Sequence, residues 1–283
     1  IKKNNLNLLN MICLSFVQGR LSKKIGSKFQ YFPINNWQNE MPIAKKIGFK
    51  HIEWIISDYN NPIFNKIFQN QILQVLKENK ISISSIGLDF LMREPLFKIH
   101  NDDLDWILIN LKNILKRFKA KRVNIPIEEN SRLSNHFDYK IVKKRLHKII
   151  KILGENTKIS IESDLSLKNL DHLLSIKKLK KLGILLDIGN IKADGFSIED
   201  YISKFAKRIY GIHVKKRGVF FKKSEKINKP YHELRYVINN ISKLTNLNDI
   251  TLQSFRSNSS YINELKLAYK IVKKEIEKIN LKI

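Results

Sequence analysis

Lys158-Ile159-Ser160-Ile161-Glu162, followed by the segment 167–176 and then by Gly183-Ile184-Leu185-Leu186-Asp187, holds the repeating unit from which the chain is built. A short apolar run is followed by apolar positions at helical spacing and then by a second short apolar run. This is the pattern of a strand, a crossover helix and a parallel strand. Working outward, the same unit recurs along the whole chain. Apolar runs at 12–17, 51–55, 81–88, 122–125, 158–161, 183–186, 210–214 and 249–252 read as eight strands. Helix-period segments at 37–47, 67–79, 102–118, 139–153, 167–176, 198–205, 232–242 and 261–279 alternate with them. Eight such units predict a closed (β/α)8 barrel, and the 283 residues suit one domain over 1–283. Gly48 and Gly154 read as helix C-caps and Ser197 as an N-cap. A doubly wound open sheet would carry a glycine-rich phosphate turn after the first strand, and Gln18-Gly19-Arg20-Leu21-Ser22 is not one.

Four of the later strands end in a group that can bind a metal: Ile161-Glu162, Leu186-Asp187, Ile212-His213 and Leu252-Gln253. The C-terminal ends of barrel strands converge on one mouth, where active sites of this architecture lie. Singly, each has a bland reading, since a strand-end carboxylate often caps a helix and a lone histidine often only accepts a hydrogen bond. Together, on consecutive strands, they predict a divalent-metal site. Two carboxylates, an imidazole and an amide oxygen form a hard, oxygen-rich set suited to Mn²⁺ or Mg²⁺.

These motifs resemble those of the xylose-isomerase-like TIM-barrel family of sugar phosphate isomerases and epimerases. The resemblance rests on Ile161-Glu162-Ser163-Asp164, Leu186-Asp187-Ile188-Gly189-Asn190 and Ile212-His213-Val214-Lys215, together with Gly48-Phe49-Lys50-His51-Ile52-Glu53-Trp54 around the second strand. It implies a metal-dependent isomerase or epimerase with Glu162, Asp187 and His213 as ligands. Three positions depart from the family pattern. Gln253 stands where many members have a glutamate, and an amide can coordinate but cannot take a proton. Lys216 stands where an aspartate often follows the His-x-Lys motif. Lys222-Lys223-Ser224-Glu225-Lys226 replaces a glycine-rich turn. A proton shuttle through an enediol on one face of the carbon, with Glu162 as base and Lys215 as electrophile or acid, is compatible with these changes. Glu53 and Asp89 are candidates to hold substrate hydroxyls. Arg20, Arg217 and Arg256 form a candidate cationic rim for a sugar phosphate, and Trp54 and Phe90 are candidate stacking surfaces. The long connection starting at Lys216 is a candidate lid.

A formal charge of +27 invites a nucleic-acid reading, but the lysines are scattered over nearly every helix rather than gathered on one face with aromatic platforms. The joint use of Lys, Ile and Asn fits an AT-rich coding sequence, so a nucleic-acid partner is not expected. The single Cys13 excludes an intramolecular disulfide, suits a reducing cytoplasm and reads as a buried packing residue. Lys2-Lys3 and the apolar run after it superficially resemble a signal peptide, but Asn5, Asn7 and Asn10 interrupt that run. No apolar run approaches the roughly 20 residues that span a bilayer. The sequence leaves room for a homo-oligomer. Two further functions remain open at this stage: a barrel that binds sugar or nucleic acid without catalysis, and an endonuclease-IV-like enzyme. The second requires additional histidines near strands two, three and six, whereas strand three ends Gly87-Leu88-Asp89 and Asp187 is followed by Ile188-Gly189-Asn190, with no histidine in either stretch.

Overall fold

The computed structural model describes residues 13–24, 26, 30–219 and 223–279. Eight parallel strands form a closed barrel. In chain order they are β1 (Cys13–Val17), β2 (His51–Ile55), β3 (Ser82–Gly87), β4 (Arg122–Ile127), β5 (Lys158–Ser163), β6 (Leu182–Asp187), β7 (Ile209–Val214) and β8 (Asp249–Leu252). Each pairs with its sequence neighbour, and β1 closes the ring on β8 with Ser15 in register with Thr251. Their hydroxyls meet at 2.6 Å across that seam.

Alternation along each strand sorts side chains into two layers. Phe16, Ile52, Trp54, Ile86, Val123, Ile159, Ile161, Ile212 and Leu252 are fully buried and belong to one hydrophobic cluster with the helices. The other parity is polar: Ser15, Glu53, Ser85, Arg122, Ser160, Asp249 and Thr251 are also fully buried, and they bond to one another inside the ring. The helices are α1 (Trp37–Ile47), α2 (Lys66–Asn79), α3 (Asn101–Phe118), α4 (His136–Leu153), α5 (Leu167–Ser175), α6 (Ile188–Ala193), α7 (Ile198–Phe205), α8 (His232–Asn239) and α9 (Tyr261–Glu277). Gly48 takes a left-handed conformation at the end of α1, and the Ser197 hydroxyl accepts the Asp200 N–H to start α7.

The strand and helix expectations hold, with shifts of a few residues at element ends. One addition matters for the site: α6 starts directly at the end of β6, with Asp187 as its N-cap. Residues 1–12, which carry the signal-like run and the expected start of the first strand, lie outside the described residues. Cys13 is half-buried rather than buried. The long connection after β7 contains a two-stranded antiparallel ladder pairing Lys216 with Glu225 and Arg217 with Ser224.

Candidate metal centre at the barrel mouth

Register brings the strand ends together: Asp187 pairs with His213, His213 with Thr251, and the Gln253 N–H donates to the Val214 carbonyl. One ligand atom each from Glu162, Asp187 and His213 lies within 4.8 Å of the other two, and all three residues are buried. No other group of three such residues occurs among the described residues.

Neighbouring groups fix each of these side chains. Asp187 Oδ1 accepts the N–H groups of Gly189 at 2.9 Å and Asn190 at 2.8 Å, which is the helix-cap role of a strand-end carboxylate. Asp187 Oδ2 receives no backbone N–H; its near neighbour is the Lys215 ammonium, an ion pair at 2.8 Å. Burial works against the Asp187 carboxylate, and the positive charges of Lys215 and His213 outweigh it and hold the group below the usual range. His213 Nε2 lies 2.8 Å from Glu53 Oε1, leaving Nδ1 buried without a partner, 3.7 Å from Glu162 Oε2 and 4.0 Å from Asp187 Oδ2. Burial disfavours the imidazolium, but Glu53 and Glu162 prevail and raise it to about 10. Glu162 is oriented by two amides, Asn124 at 3.2 Å and Asn190 at 3.3 Å. Gln253 Oε1 is also buried without a partner. Orphaned polar atoms at a buried site are costly unless something binds them. The donor set of Glu162, Asp187 and His213, with the Gln253 amide at the adjacent strand end, fits a hard divalent cation.

Below this layer Arg122 spans the barrel. Its Nε and Nη2 bond both oxygens of Asp249 at 2.9 and 2.7 Å, Nη2 also reaches Glu53 Oε2 at 2.7 Å, and Nη1 reaches Ser160 at 3.0 Å. Gly211 is required by this arrangement, because a Cβ there would sit 2.6 Å from the Arg122 guanidinium carbon. Burial opposes the Glu53 charge, yet His213 and Arg122 lower its carboxyl to about 2. Both Glu53 oxygens are thus engaged, by His213 on one side and by Ser85 and Arg122 on the other. Gly189 is likewise required, since a Cβ there would meet the Lys215 carbonyl at 2.7 Å.

The remaining candidates sort by position. Asp89 lies at the mouth, bonded to Gln30 at 2.5 Å, and Arg20 donates to Gln30 and to the Ser254 carbonyl. Arg20 and Arg256 are both buried, and Arg256 donates to the Gly19 carbonyl, so neither is a solvated rim residue. Arg217 lines the open cleft and donates to Asn190 Oδ1 at 2.6 Å. Trp54 and Phe90 do not reach the mouth: Trp54 packs on Phe32 and Trp37 in the helix layer, and Phe90 packs on Tyr59. Lys216 pairs with Glu225 across the small ladder.

Sequence reading missed Glu128, Asn124, Asn190 and Gln30. Glu128 Oε2 accepts from Asn190 at 3.0 Å, and burial, reinforced by Glu162, raises its carboxyl well above the usual range. It borders a cleft of about 470 Å³ with Glu129, Arg132, Asp164, Asn190 and Arg217. The strand-end rule would have found it had β4 been read through to Ile127 rather than stopped at Ile125.

No family model matches the chain, and no curated protein matches it. Solved structures do. A xylose isomerase-like TIM-barrel protein from Mycobacterium smegmatis, in complex with magnesium, is 13% identical, with a TM-score of 0.69 over 95% of this chain and 99% of that one. A sugar phosphate isomerase/epimerase from Parabacteroides distasonis is 11% identical, with a TM-score of 0.64 over 93% and 94%. D-psicose 3-epimerase from Clostridium cellulolyticum, solved with D-tagatose, is 12% identical, with a TM-score of 0.63 over 94% and 96%. The fold is that of the xylose isomerase-like TIM barrels.

Proposed function

We propose that the chain is a divalent-metal-dependent isomerase or epimerase acting on a sugar or sugar phosphate through an enediol-type proton transfer. The observation that carries this reading is the buried cluster of Glu162, Asp187 and His213, in which His213 Nδ1 has no hydrogen-bond partner and Asp187 Oδ2 meets only the Lys215 ammonium, together with the unpartnered Oε1 of Gln253 at the next strand end. Glu162, Asp187, His213 and Gln253 would hold Mn²⁺ or Mg²⁺; the magnesium in one fold relative and the ketose in another support the assignment. A bound ion supplies Lewis acidity toward a carbonyl or hydroxyl oxygen of the substrate.

The chain's own residues do the rest. Glu162, fixed by Asn124 and Asn190, takes the proton from the carbon next to the carbonyl, whose electrons pass into the enediol. Returning that proton to the neighbouring carbon isomerises the sugar. Lys215 places its ammonium against the oxygen that gains charge. Gln253 carries no proton, so Glu128, across Asn190 from Glu162, is the second carboxyl available for exchange with substrate hydroxyls. The polar cleft of about 470 Å³, which adjoins the site through Glu128 and Asn190 and is not lined by the four ligands themselves, has room for one sugar. Asp89 and Arg20 act through Gln30, and Arg256 through the Gly19 carbonyl. Glu53 acts by orienting His213.

The reading takes residues 1–283 as one domain, supported by a single barrel whose strands run from β1 to β8. The lone Cys13 supports a reducing, cytoplasmic setting. No described helix is long and apolar enough to cross a membrane.

A screen of pentoses, hexoses and their phosphates with Mn²⁺ or Mg²⁺ tests the proposal. Conversion that is abolished by chelator and by Glu162→Gln is expected. Conversion that survives either treatment would contradict it. The Lys215 ammonium against Asp187 Oδ2 favours one second reading, a binding barrel in which lysine stands in for the ion. Ligand binding indifferent to chelator would select that reading.

A further inference from the structure

The side-chain amide of Gln253 carries two chemically opposite atoms, and its neighbours leave only one way round. Arg20 Nη2 lies 2.8 Å from Gln30, and a guanidinium can only donate, so the Gln30 atom facing it is the carbonyl Oε1. On its other side Gln30 meets Asp89 Oδ2 at 2.5 Å, and a carboxylate accepts, so that atom is Nε2. Both neighbours assign the same orientation. Gln253 approaches Gln30 Oε1 at 2.8 Å, and only its Nε2 can donate there. Gln253 Oε1 is therefore turned away from Gln30, and it is buried with no hydrogen-bond partner. Amide orientation is usually inferred from such networks, and here it is fixed by the Arg20 guanidinium, which can only donate, with the ionised Asp89 carboxylate in agreement.

Gln253 follows Leu252 on β8 with the same parity as Asp249 and Thr251, whose side chains face into the barrel, and Thr251 is in register with His213. We propose that Gln30 is a positioning residue that fixes the Gln253 amide with its carbonyl oxygen presented to a divalent cation as the fourth ligand. This inference rests on the metal site proposed above. It adds that Arg20 and Asp89 set the amide through Gln30, and that the loop holding Gln30 selects an amide over a carboxylate at position 253. A glutamate at 253 would set a carboxylate oxygen against Gln30 Oε1, two acceptors face to face. Turning Gln30 round to relieve this would set its NH₂ against the Arg20 guanidinium, two donors face to face.

The test is Mn²⁺ affinity, followed by the free-ion EPR signal, in the wild-type chain, Gln30→Met, Gln253→Met, the double variant of these two, Gln30→Glu combined with Asp89→Asn, and Asp187→Asn, with circular dichroism confirming the fold of each. Residues that orient a metal ligand change affinity by about 10-fold or more when lost. Gln30→Met should weaken Mn²⁺ about as much as Gln253→Met, and the double variant should be no weaker than either. Gln30→Glu, combined with Asp89→Asn so that an amide donates to its second oxygen, keeps the acceptor oxygen toward Arg20 and Gln253 and should retain at least half of the affinity on a logarithmic scale. The relay is overturned if Gln30→Met binds as wild type does, or if the two losses multiply in the double variant. If wild type binds Mn²⁺ and Asp187→Asn does not, while Gln30→Met is indifferent, the relay fails and the metal site stands. A folded wild-type chain that takes up no Mn²⁺ overturns both.

Discussion

His213 Nε2 and Glu53 Oε1 lie 2.8 Å apart in the sealed interior of the barrel, and this contact turns the other ring nitrogen toward Glu162 and Asp187. A carboxylate behind a metal-binding imidazole fixes its tautomer and strengthens it as a ligand. Glu53→Gln should therefore weaken Mn²⁺ binding by about 10- to 100-fold. Direct contact of Glu53 with substrate would instead raise KM and leave metal affinity unchanged. Calorimetric titration of the variant with Mn²⁺, alongside KM, separates the two roles.

Arg122 is buried together with Asp249 and Glu53, and removing one partner leaves charge uncompensated in the interior. Arg122→Met should cost about 3–5 kcal/mol of stability. Gly211→Ala should also destabilise the chain, because its Cβ would displace the same guanidinium. Urea unfolding of both variants measures this, and a loss confined to Arg122→Met would show that the guanidinium can move aside.

Lys215 stands 2.8 Å from the Asp187 oxygen assigned to the ion. Its positive charge competes with a divalent cation and also serves the reaction. Lys215→Met should therefore bind Mn²⁺ more tightly than wild type while its kcat falls by at least about 10-fold. Parallel decreases in affinity and kcat would place Lys215 in support of the ion.

Burial raises the Asp89 carboxyl from 3.8 to about 7, against the opposing bond from Gln30. The folded chain then holds this proton more tightly than the unfolded chain. The resulting penalty is absent below about 3.8, grows as pH rises and is complete above about 7. Glu40, which accepts the Gly19 and Leu21 N–H groups, is raised to about 7 by burial and acts in the same direction. With chelator present, the urea midpoint should fall between pH 4.5 and 6.5, and by less in Asp89→Asn. An identical slope in that variant would show that Asp89 does not carry it.

The barrel was legible because its outward parity is apolar: Ile159 and Ile161, or Ile212 and Val214, announce a strand without any tertiary information. The ligands were legible because they close those runs. The supporting polar layer was not. Arg122 and Asp249 stand at the starts of strands, where a charge reads as solvated, and only the ring places them within bonding distance 127 residues apart in sequence. Arg20 and Arg256 read as rim residues because nothing local shows that Gln30 engages the first and the Gly19 carbonyl the second. Trp54 alternates with Glu53 on β2, and that parity would have assigned it to the helix layer. Glu128 was lost to a strand boundary set two residues early.

The central claim is the metal. Purified chain stripped with chelator, returned to metal-free buffer and titrated with Mn²⁺ under EPR should bind about one ion, with affinity at least about 10-fold weaker in Asp187→Asn of unchanged circular dichroism. A folded wild-type chain that binds no divalent ion, or an Asp187→Asn variant that binds as wild type does, would contradict the account.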